Sequence, residues 1–558
     1  MKKYISIFFT ALTLSTGLSS CEDMLTEKPD SAYDLAQYFT SEAKAEMSVM
    51  GIYSSVTHPN LYGSRNMATF VSDDTHFTSR TNSDGAIHDM SNYTLASTNK
   101  WVSDLWKYTY EAIDRCNFAI AGITGMENYE KNKALQQLVA EAHFLRAFMA
   151  FDLVKYWGDV PFKTTYSSGY ESAFNPRTPR EAIYDEIIKD LDFAKSNLDW
   201  KGNAESPERP GQGAARALLM RVLLQRAGYS LQPDGKLTRP EEPKRTEYFN
   251  AVIQEWEQFT GKHNFYAGSY EEFFKTFSEG VLNSQESLFE IALYHMQGSR
   301  NGGWWGTYNG PAVAEPVGIE PTETGKYMGR ANAFFRAVPE WYDFFAEGDT
   351  RRDVNICTYK YNWNKTKKVH EKSKTLRNDS WYPGKWRREW MPIGYKDLNY
   401  TDVNYCPLRY ADVVLMAAEA YNETGNTIKA WELLNSVRKR AGAPEINNAN
   451  YAELLKAPKV YDLAFIDDAT EQGKFRTALY WERGFELAFE GQRKYDLIRW
   501  GILKEALVLF GSNSAVNGSK IPYPAYQNFV TGKHELLPIP LSEIQSNAKL
   551  EGKNNNGY

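Results

Sequence analysis

Residues 408–441 read LRYADVVLMAAEAYNETGNTIKAWELLNSVRKRA, and this stretch decides the fold class. Ala418 and Tyr421 are three residues apart, Ala430 and Leu434 are four apart, and nine positions separate Tyr421 from Ala430, as expected for two successive helices. Gly425-Asn426 separates the two runs as a turn. Small residues that let helices approach and large ones that fill the groove between them are typical of tetratricopeptide repeats. The spacing predicts a helical hairpin of such a repeat, with a generic helical hairpin as the alternative.

Further helices are predicted on the N-terminal side of this hairpin. Amphipathic spacing predicts helices over residues 101–121 and 212–228, and the more apolar residues 132–157 predict a buried helix ended by Gly158. Thr178-Pro179-Arg180-Glu181 has the form of a capping box, which predicts a helix running to about Asn197. The fold class is therefore mainly α, with diverged repeats, about four, stacked as a tetratricopeptide-like scaffold.

Two segments lack helical periodicity. Residues 297–310 contain five glycines together with Trp304, Trp305 and Tyr308. Residues 358–400 contain nine tyrosines and tryptophans, and eleven Lys or Arg against four acids. Loops of this length inside a folded chain usually have a function. We expect these segments to form an irregular, loop-rich half that binds a ligand.

Composition excludes several classes of protein. The 558 residues exceed the roughly 250–300 at which a single core stops growing. A net charge of −6 provides no field that favours duplex nucleic acid. Four cysteines, Cys21, Cys116, Cys357 and Cys406, are too few for a disulfide scaffold in a chain this long. Aromatic residues make up 14%, with 36 Tyr and 15 Trp, and such rings suit surfaces that stack on a ligand.

The N-terminus has the features of an export signal. Lys2 and Lys3 precede an apolar stretch, Ile5 to Leu18, that is too short to span a bilayer. Leu18-Ser19-Ser20-Cys21 resembles the lipobox of bacterial lipoproteins, which implies cleavage of residues 1–20 and lipidation of Cys21. A plain secretory signal is the alternative. Residues 21–40 are then the lipidated cysteine and its tether, and loss of the two lysines changes the net charge to −8.

Motifs for phosphate binding, zinc proteases, redox cysteines and nucleophile elbows are absent from the sequence, and no histidine has metal-ligand spacing. We therefore predict neither a metal nor a cofactor. Glu482, Glu486 and Glu490 fall on one helical stripe, and two of them could act as a glycosidase acid and base. Because arginines alternate with them and apolar residues flank them, we favour a buried ionic network instead.

Four ordered motifs together carry a family resemblance: residues 140–162, 408–441, 482–500 and 537–547. With the lipobox, they resemble the SusD-like, or RagB/SusD, family of outer-membrane lipoproteins that take up glycans. One departure from the family pattern is at residues 554–558, which lack the usual proline.

The resemblance implies a SusD-like domain over residues 41–558. Helical repeats are expected over about 41–260 and 408–441, the ligand-binding region over about 261–407, and a C-terminal helical motif and tail over 442–558. It further implies no catalysis, a surface location on the outer membrane through the lipid anchor, and a SusC-like TonB-dependent β-barrel transporter as partner. Members that bind peptides remain an alternative, as does a repeat scaffold that binds only proteins.

Recognition of sugars relies on flat rings, with amides, carboxylates and guanidinium groups taking the hydroxyls. The glycine-rich setting predicts that Trp304, Trp305 and Tyr308 are free to stack on an oligo- or polysaccharide, with Arg300 and Asn301 adding polar contacts. Rings folded back onto the scaffold are the alternative, and because adjacent tryptophans in an extended loop point in opposite directions, we expect at most one of Trp304 and Trp305 to stack on a ligand. Further candidates are Trp381 and Trp386, and, from the loops that contribute in the family, Asp73, Asp74, His76 and Tyr93. For residues 358–400, a solvated loop that contacts the transporter, lipopolysaccharide or an acidic glycan is favoured over a site for single-stranded nucleic acid, because the mature chain is acidic.

Overall fold

The computed structural model describes residues 35–78, 85–202, 205–295, 302–375, 380–392, 397–454, 461–513, 515–516, 519–520 and 523–558. The predicted signal peptide, Cys21 and most of the tether lie outside the described residues, as do Arg300 and Asn301. None of the helices in these described ranges is long and apolar enough to cross a bilayer.

Helices form most of the regular structure. The α-helices, numbered in chain order, are α1 Leu35–Tyr38, α2 Glu42–Val56, α3 Ala86–Ser91, α4 Lys100–Thr124, α5 Lys133–Trp157, α6 Arg180–Asn197, α7 Gln212–Ala227, α8 Lys244–Glu257, α9 Tyr270–Glu279, α10 Trp341–Phe344, α11 Arg351–Asn355, α12 Tyr410–Glu423, α13 Thr427–Arg440, α14 Tyr451–Leu454, α15 Glu471–Glu486, α16 Arg493–Trp500, α17 Leu503–Asn513, α18 Pro524–Asn528 and α19 Leu541–Ser546. Short 3₁₀ turns lie between them, including Tyr129–Lys131, Pro321–Lys326 and Arg388–Trp390.

The strands are short and pair two by two. They are β1 Thr75–Phe77, β2 Val160–Pro161, β3 Arg177–Thr178, β4 Ser230–Leu231, β5 Leu237–Thr238, β6 Ser287–Ile291, β7 Phe335–Ala337, β8 Ile356–Cys357, β9 Tyr359–Asn364, β10 Val369–Lys374, β11 Tyr382–Pro383, β12 Tyr405–Arg409, β13 Ala515–Val516 and β14 Ser519–Lys520. Within the described residues, all seven pairs are antiparallel: β1 with β7, β2 with β3, β4 with β5, β6 with β12, β8 with β11, β9 with β10 and β13 with β14. Three of them, β6 with β12, β8 with β11 and β9 with β10, lie in the irregular half, and β1 with β7 connects it to the N-terminal part.

Side-chain caps explain where the long helices begin. The Asn99 side chain accepts hydrogen bonds from the backbone N–H groups of Trp101 and Val102, at 2.9 and 3.3 Å, and Asn132 caps α5 in the same way. Gly158, at φ 71°, ends α5. The helices predicted over 101–121, 132–157 and 212–228 are thereby confirmed to within about four residues.

The predicted capping box at Thr178 is wrong. Thr178 pairs with Val160 in the β2–β3 ladder, and α6 begins two residues later, at Arg180. Instead, Asp159 at the end of the preceding turn accepts from the Arg180 backbone N–H at 3.3 Å and from its Nε at 2.7 Å. Asp159, twenty-one positions before Arg180, therefore caps α6 in place of Thr178.

The decisive hairpin is α12 and α13. Ala418, Ala430 and Leu434 are fully buried, and the side chain of Asn426 caps α13 by accepting from the Lys429 backbone N–H at 3.2 Å. The hairpin packs on α8 and α15, while α4 to α7 contact one another in chain order. This arrangement confirms the mainly α fold class.

A buried ionic cluster connects the helices to the irregular half. Its centre is Glu486 at the end of α15, which is 0% exposed. Its carboxylate lies 2.6 Å from Arg409 Nη1 and 3.0 Å from Arg351 Nη1, and it also pairs with Arg440. These partners come from the end of β12, from α11 and from α13, so one carboxylate fixes three segments.

The neighbouring glutamates are paired in the same way. Glu482 lies 2.6 Å from Arg351 and 2.8 Å from Arg438, and Glu490 lies 2.7 Å from Arg409 Nε and pairs with Lys385. Burial by itself raises the pKa of a carboxyl group, but the guanidinium groups of the three arginines outweigh it and hold the pKa of Glu486 well below its ordinary value. The predicted ionic network is confirmed.

We predict that Glu486→Gln lowers the free energy of unfolding by about 3–5 kcal/mol, because removing one partner leaves buried arginines uncompensated. Urea unfolding at pH 7 measures this. The control is Glu432→Gln on exposed α13 surface, where the ion pair with Lys429 contributes at most about 1 kcal/mol. Equal effects of the two substitutions would contradict the role given to the cluster.

The negative charge of Glu486 also predicts that the free energy of unfolding depends on pH. A carboxyl group with a depressed folded-state pKa stabilises the fold above its unfolded-state pKa, about 4.3, and loses that contribution as the pH falls toward the folded value. The stability difference between wild type and Glu486→Gln should therefore be constant from pH 5 to 7 and shrink below pH 4. A difference that grows on acidification would contradict this assignment.

Candidate functional site

The two adjacent tryptophans of the glycine-rich segment point in opposite directions, and Trp305 points into the core. It is 0% exposed, its Nε1 donates to the Tyr62 carbonyl at 2.9 Å, and its ring stacks on Tyr405 with centroids 4.3 Å apart. The prediction that Trp305 is available to a ligand is wrong. A Cβ at Gly310 would lie 2.3 Å from the Trp386 carbonyl, so the glycine lets two backbone segments press together and enclose the ring.

Trp304 lies on the outer side and is half-buried. Its ring stacks on Tyr308, with centroids 4.7 Å apart and an interplanar angle of 24°, and it meets Tyr400 at 5.1 Å. Tyr400 is also half-buried, whereas Tyr308 is 8% exposed and packs against the Trp304 ring. We call Trp304, Tyr308 and Tyr400 the aromatic platform. Of the predicted residues, the platform contains Trp304 and Tyr308, and it adds Tyr400. Tyr308 is buried against Trp304, so the prediction that its ring is free to stack on a ligand is wrong.

Polar groups surround the platform. Arg330 donates to the Asn399 side-chain oxygen at 2.7 and 3.1 Å, and pairs with Glu315 at 2.9 Å. Burial raises the pKa of Tyr308 to about 12, against the opposing charges of Arg65 and Arg330. Both guanidinium groups therefore act near the platform. An amide, a carboxylate and two guanidinium groups beside flat rings are the chemistry that holds a sugar.

The remaining predicted site residues are buried, and their prediction as ligand contacts is corrected. Trp386 is 1% exposed and packs on Trp305 at 4.8 Å, and Trp381 packs on Tyr342 at 5.1 Å. Both belong to the core because the chain segments around them fold over the rings.

The early-loop candidates are buried as well: Asp73, Asp74, His76 and Tyr93. Asp73 pairs with Arg493 at 2.7 Å, and Asp74 accepts from Ser72 and Thr75 at 2.8 Å each. His76 stacks on Tyr523 at 4.4 Å, and the Tyr93 hydroxyl donates to the Val71 carbonyl at 2.9 Å. Asp73 and His76 are thus engaged with distant parts of the chain, and Asp74 and Tyr93 with neighbouring residues of the same early segment.

A second aromatic group was missed in the sequence. Trp363 of β9 meets Tyr327 at 4.9 Å and His370 of β10 at 4.9 Å, and its Nε1 donates to the Val317 carbonyl at 2.9 Å. Beside them is a cavity of about 260 Å³, which we call the basic pocket. Its lining comprises Lys326, Tyr327, Met328, Lys368, Val369, His370, Arg388, Met391 and Pro392. In the sequence, this aromatic group is indicated by the alternation of tyrosine and tryptophan with lysine and asparagine in β9.

The basic pocket adjoins the aromatic platform through one buried side chain. Arg388 donates from Nη1 to the Met328 carbonyl at 3.2 Å, on the pocket side. From Nη2 it donates to Thr307 Oγ1 and the Asn399 carbonyl, each at 2.7 Å, on the platform side. The two features therefore share a wall. Within the residues that the structure describes, no group of three histidines, cysteines or carboxylates could hold a metal ion.

Comparison with known proteins decides the family. A model described as the SusD family matches residues 285–558, and one described as starch-binding associating with outer membrane matches residues 23–224. Together the two models cover most of the sequence. The chain belongs to the SusD-like family.

Relatives match over nearly the full length of the SusD-like chain. The SusD-like protein P2 of Formosa agariphila is 28% identical, with 100% of both chains covered. A crystal structure of a SusD homologue from Bacteroides thetaiotaomicron superposes with a TM-score of 0.75 at 23% identity, covering 94% of this chain and 98% of that one. Surface glycan-binding protein A from the same species, in complex with laminarihexaose, gives a TM-score of 0.65 at 20% identity, covering 92% and 99%. These likenesses establish the SusD-like fold.

The two tryptophans give a direct test of the site geometry. We predict that Trp305→Ala lowers the free energy of unfolding by about 3–5 kcal/mol, because it empties a core position. Trp304→Ala should cost less than about 2 kcal/mol, because the ring already contacts solvent. Urea unfolding of both variants checks this. A larger loss for Trp304→Ala than for Trp305→Ala would contradict the orientation.

Proposed function

We propose that this SusD-like protein is a cell-surface lipoprotein of the outer membrane that captures an oligo- or polysaccharide on the aromatic platform. It passes the glycan to a SusC-like TonB-dependent transporter and catalyses no reaction. The observation that carries the proposal is the half-buried pair of Trp304 and Tyr400, flanked by Arg330, Asn399 and Glu315.

Physical chemistry supports a sugar as ligand. A pyranose presents C–H groups on its faces and hydroxyls on its rim, so it needs both flat rings and hydrogen-bonding side chains. The platform is held by its neighbours rather than by ligand: Tyr308 supports Trp304, and Arg330 is fixed by two partners. Such preorganisation lowers the entropy cost of binding. The surface glycan-binding protein A that was solved in complex with laminarihexaose has the same fold and lends further support.

The ionic cluster argues against the glycoside hydrolase alternative. A general acid and base must reach a substrate, whereas Glu482, Glu486 and Glu490 are buried and paired with arginines or lysine. A depressed pKa also makes Glu486 a poor proton donor near neutral pH. Incubation with polysaccharides should therefore release no new reducing ends. Sustained release of reducing ends would overturn the non-catalytic part of the proposal.

We predict that Trp304→Ala and Tyr400→Ala each weaken binding of the cognate glycan by about 1–2 kcal/mol, or about 5- to 30-fold, because each removes one stacking face. Wild-type affinity should be near 10–100 μM, since sugar hydroxyls gain little over water. Calorimetry against a glycan panel measures both.

The matched controls are Trp256→Ala on α8 and Tyr170→Ala, whose ring is 74% exposed, both on the helical half. Neither should change the affinity. Tight peptide binding without binding of any glycan would favour the peptide-uptake alternative. Copurification of a transporter without affinity for a glycan or a peptide would favour the scaffold that binds only proteins.

We predict that Cys21→Ser moves the protein from the membrane fraction to the soluble fraction. Acyl chains contribute about 0.8 kcal/mol for each buried methylene, and the expected lipid attachment is through the Cys21 thiol, which serine lacks. Fractionation of cells followed by immunoblotting measures the change, with Ser19→Ala as the control. Membrane retention of Cys21→Ser at the wild-type level would contradict lipid anchoring.

A further inference from the structure

The positive charge of the irregular half is concentrated on one hairpin. Strands β9 and β10 and their turn, residues 359–374, contain six lysines and one glutamate in an acidic protein. Lys360, Lys365, Lys368 and Lys374 form no ion pair within the described part of the chain. Lys367 pairs with Glu371 at 3.0 Å, and Lys372 lies over the Tyr359 ring at 3.6 Å. Most of this charge is thus uncompensated by protein.

The tip of this hairpin closes the basic pocket. Lys368 and His370 contribute from the hairpin, and Lys326 contributes from the facing 3₁₀ turn. Lys326 pairs with Glu323 at 3.0 Å, and this glutamate also feels the charge of Lys368. One carboxylate therefore faces two ammonium groups, so the pocket keeps an excess of positive charge and can take one more anion. Tyr327 and His370 supply ring faces within the same cavity.

We propose that the glycan captured by this protein is polyanionic, and that the basic pocket binds a carboxylate or sulfate substituent of a sugar unit next to those on the aromatic platform. This inference rests on the proposed function and names its substrate class. The shared wall at Arg388 places platform and pocket side by side, so one chain can cover both. Rings select the sugar faces, and the lysines select the charged substituent.

The experiment compares polymers that differ only in charge. The mature protein is titrated with polygalacturonate and with its carboxyl-reduced form, and with κ-carrageenan and its desulfated form. At least one anionic polymer should bind tenfold or more tightly than its neutral counterpart, and the pair that shows it separates carboxylate from sulfate. Binding of that polymer should weaken several-fold between 50 and 500 mM NaCl, because salt screens exposed charges. Equal binding of charged and neutral forms, or binding of neither anionic polymer, overturns the proposal.

Substitutions of two pocket lysines test whether the charged substituent binds in the basic pocket. Lys326→Gln with Lys368→Gln should weaken binding of the anionic polymer about 3- to 10-fold, as expected for two exposed charge contacts, and binding of its neutral form less than twofold. The control is Lys131→Gln with Lys439→Gln, two exposed lysines of the helical half. It removes the same net charge and should leave both affinities unchanged. Equal losses from the two double variants would mean that only the overall charge matters, and would overturn the pocket.

Two further arms separate this inference from other outcomes. If the anionic inference alone fails, a neutral glycan still binds and Trp304→Ala still weakens it; if the proposed function fails, no glycan binds in a way that depends on Trp304. Binding of dextran sulfate or anionic phospholipid vesicles as tightly as the best polysaccharide, unchanged by Trp304→Ala, would show general attraction to polyanions or membranes. That result would overturn the proposal.

Discussion

The rest of the structure depends on the burial of Glu486 among three arginines. Charges taken out of water are tolerated only when their partners are in place, so a folded chain in which Arg351, Arg409 or Arg440 is displaced carries a large penalty. Each arginine comes from a different segment, α11, β12 and α13, and two of them also bind Glu286 before β6. The cluster therefore determines how the irregular half sits on the helices. Hydrophobic contacts alone, which lack direction, would specify that orientation less sharply.

The cluster also positions the aromatic platform, through contacts that can be followed residue by residue. Arg409 ends β12, and Tyr405 begins the same strand. The ring of Tyr405 stacks on Trp305, and Trp305 is the chain neighbour of Trp304. Burying one tryptophan of the pair thus fixes the direction in which the other points. Trp305 therefore anchors the aromatic platform by fixing the position of Trp304.

Local sequence was a good guide wherever local interactions decide the structure. Helical spacing and the caps at Asn99, Asn132 and Gly158 are local, and those helices lie where they were predicted. Charge alternation around Glu486 correctly favoured an ionic network. The failures involve distant residues: Trp305 is enclosed by Tyr62 and Tyr405, and Thr178 loses its capping role to Asp159. A glycine-rich stretch indicates that the backbone can make a close contact. It does not indicate whether that contact is with a ligand or with another part of the chain.

A net negative protein and a polyanionic ligand are physically compatible, because charges in water act over short distances. At physiological ionic strength the screening length is about 8 Å, so acids on the helical half contribute little to the potential at the hairpin tip. At the basic pocket the local charges are those of Lys326 and Lys368, opposed by Glu323. The acidic remainder has a separate effect, since it disfavours non-specific attachment of the same polymers elsewhere on the surface. Because the lysines are concentrated on one hairpin of an acidic chain, a polyanion is attracted to that hairpin rather than to the whole surface.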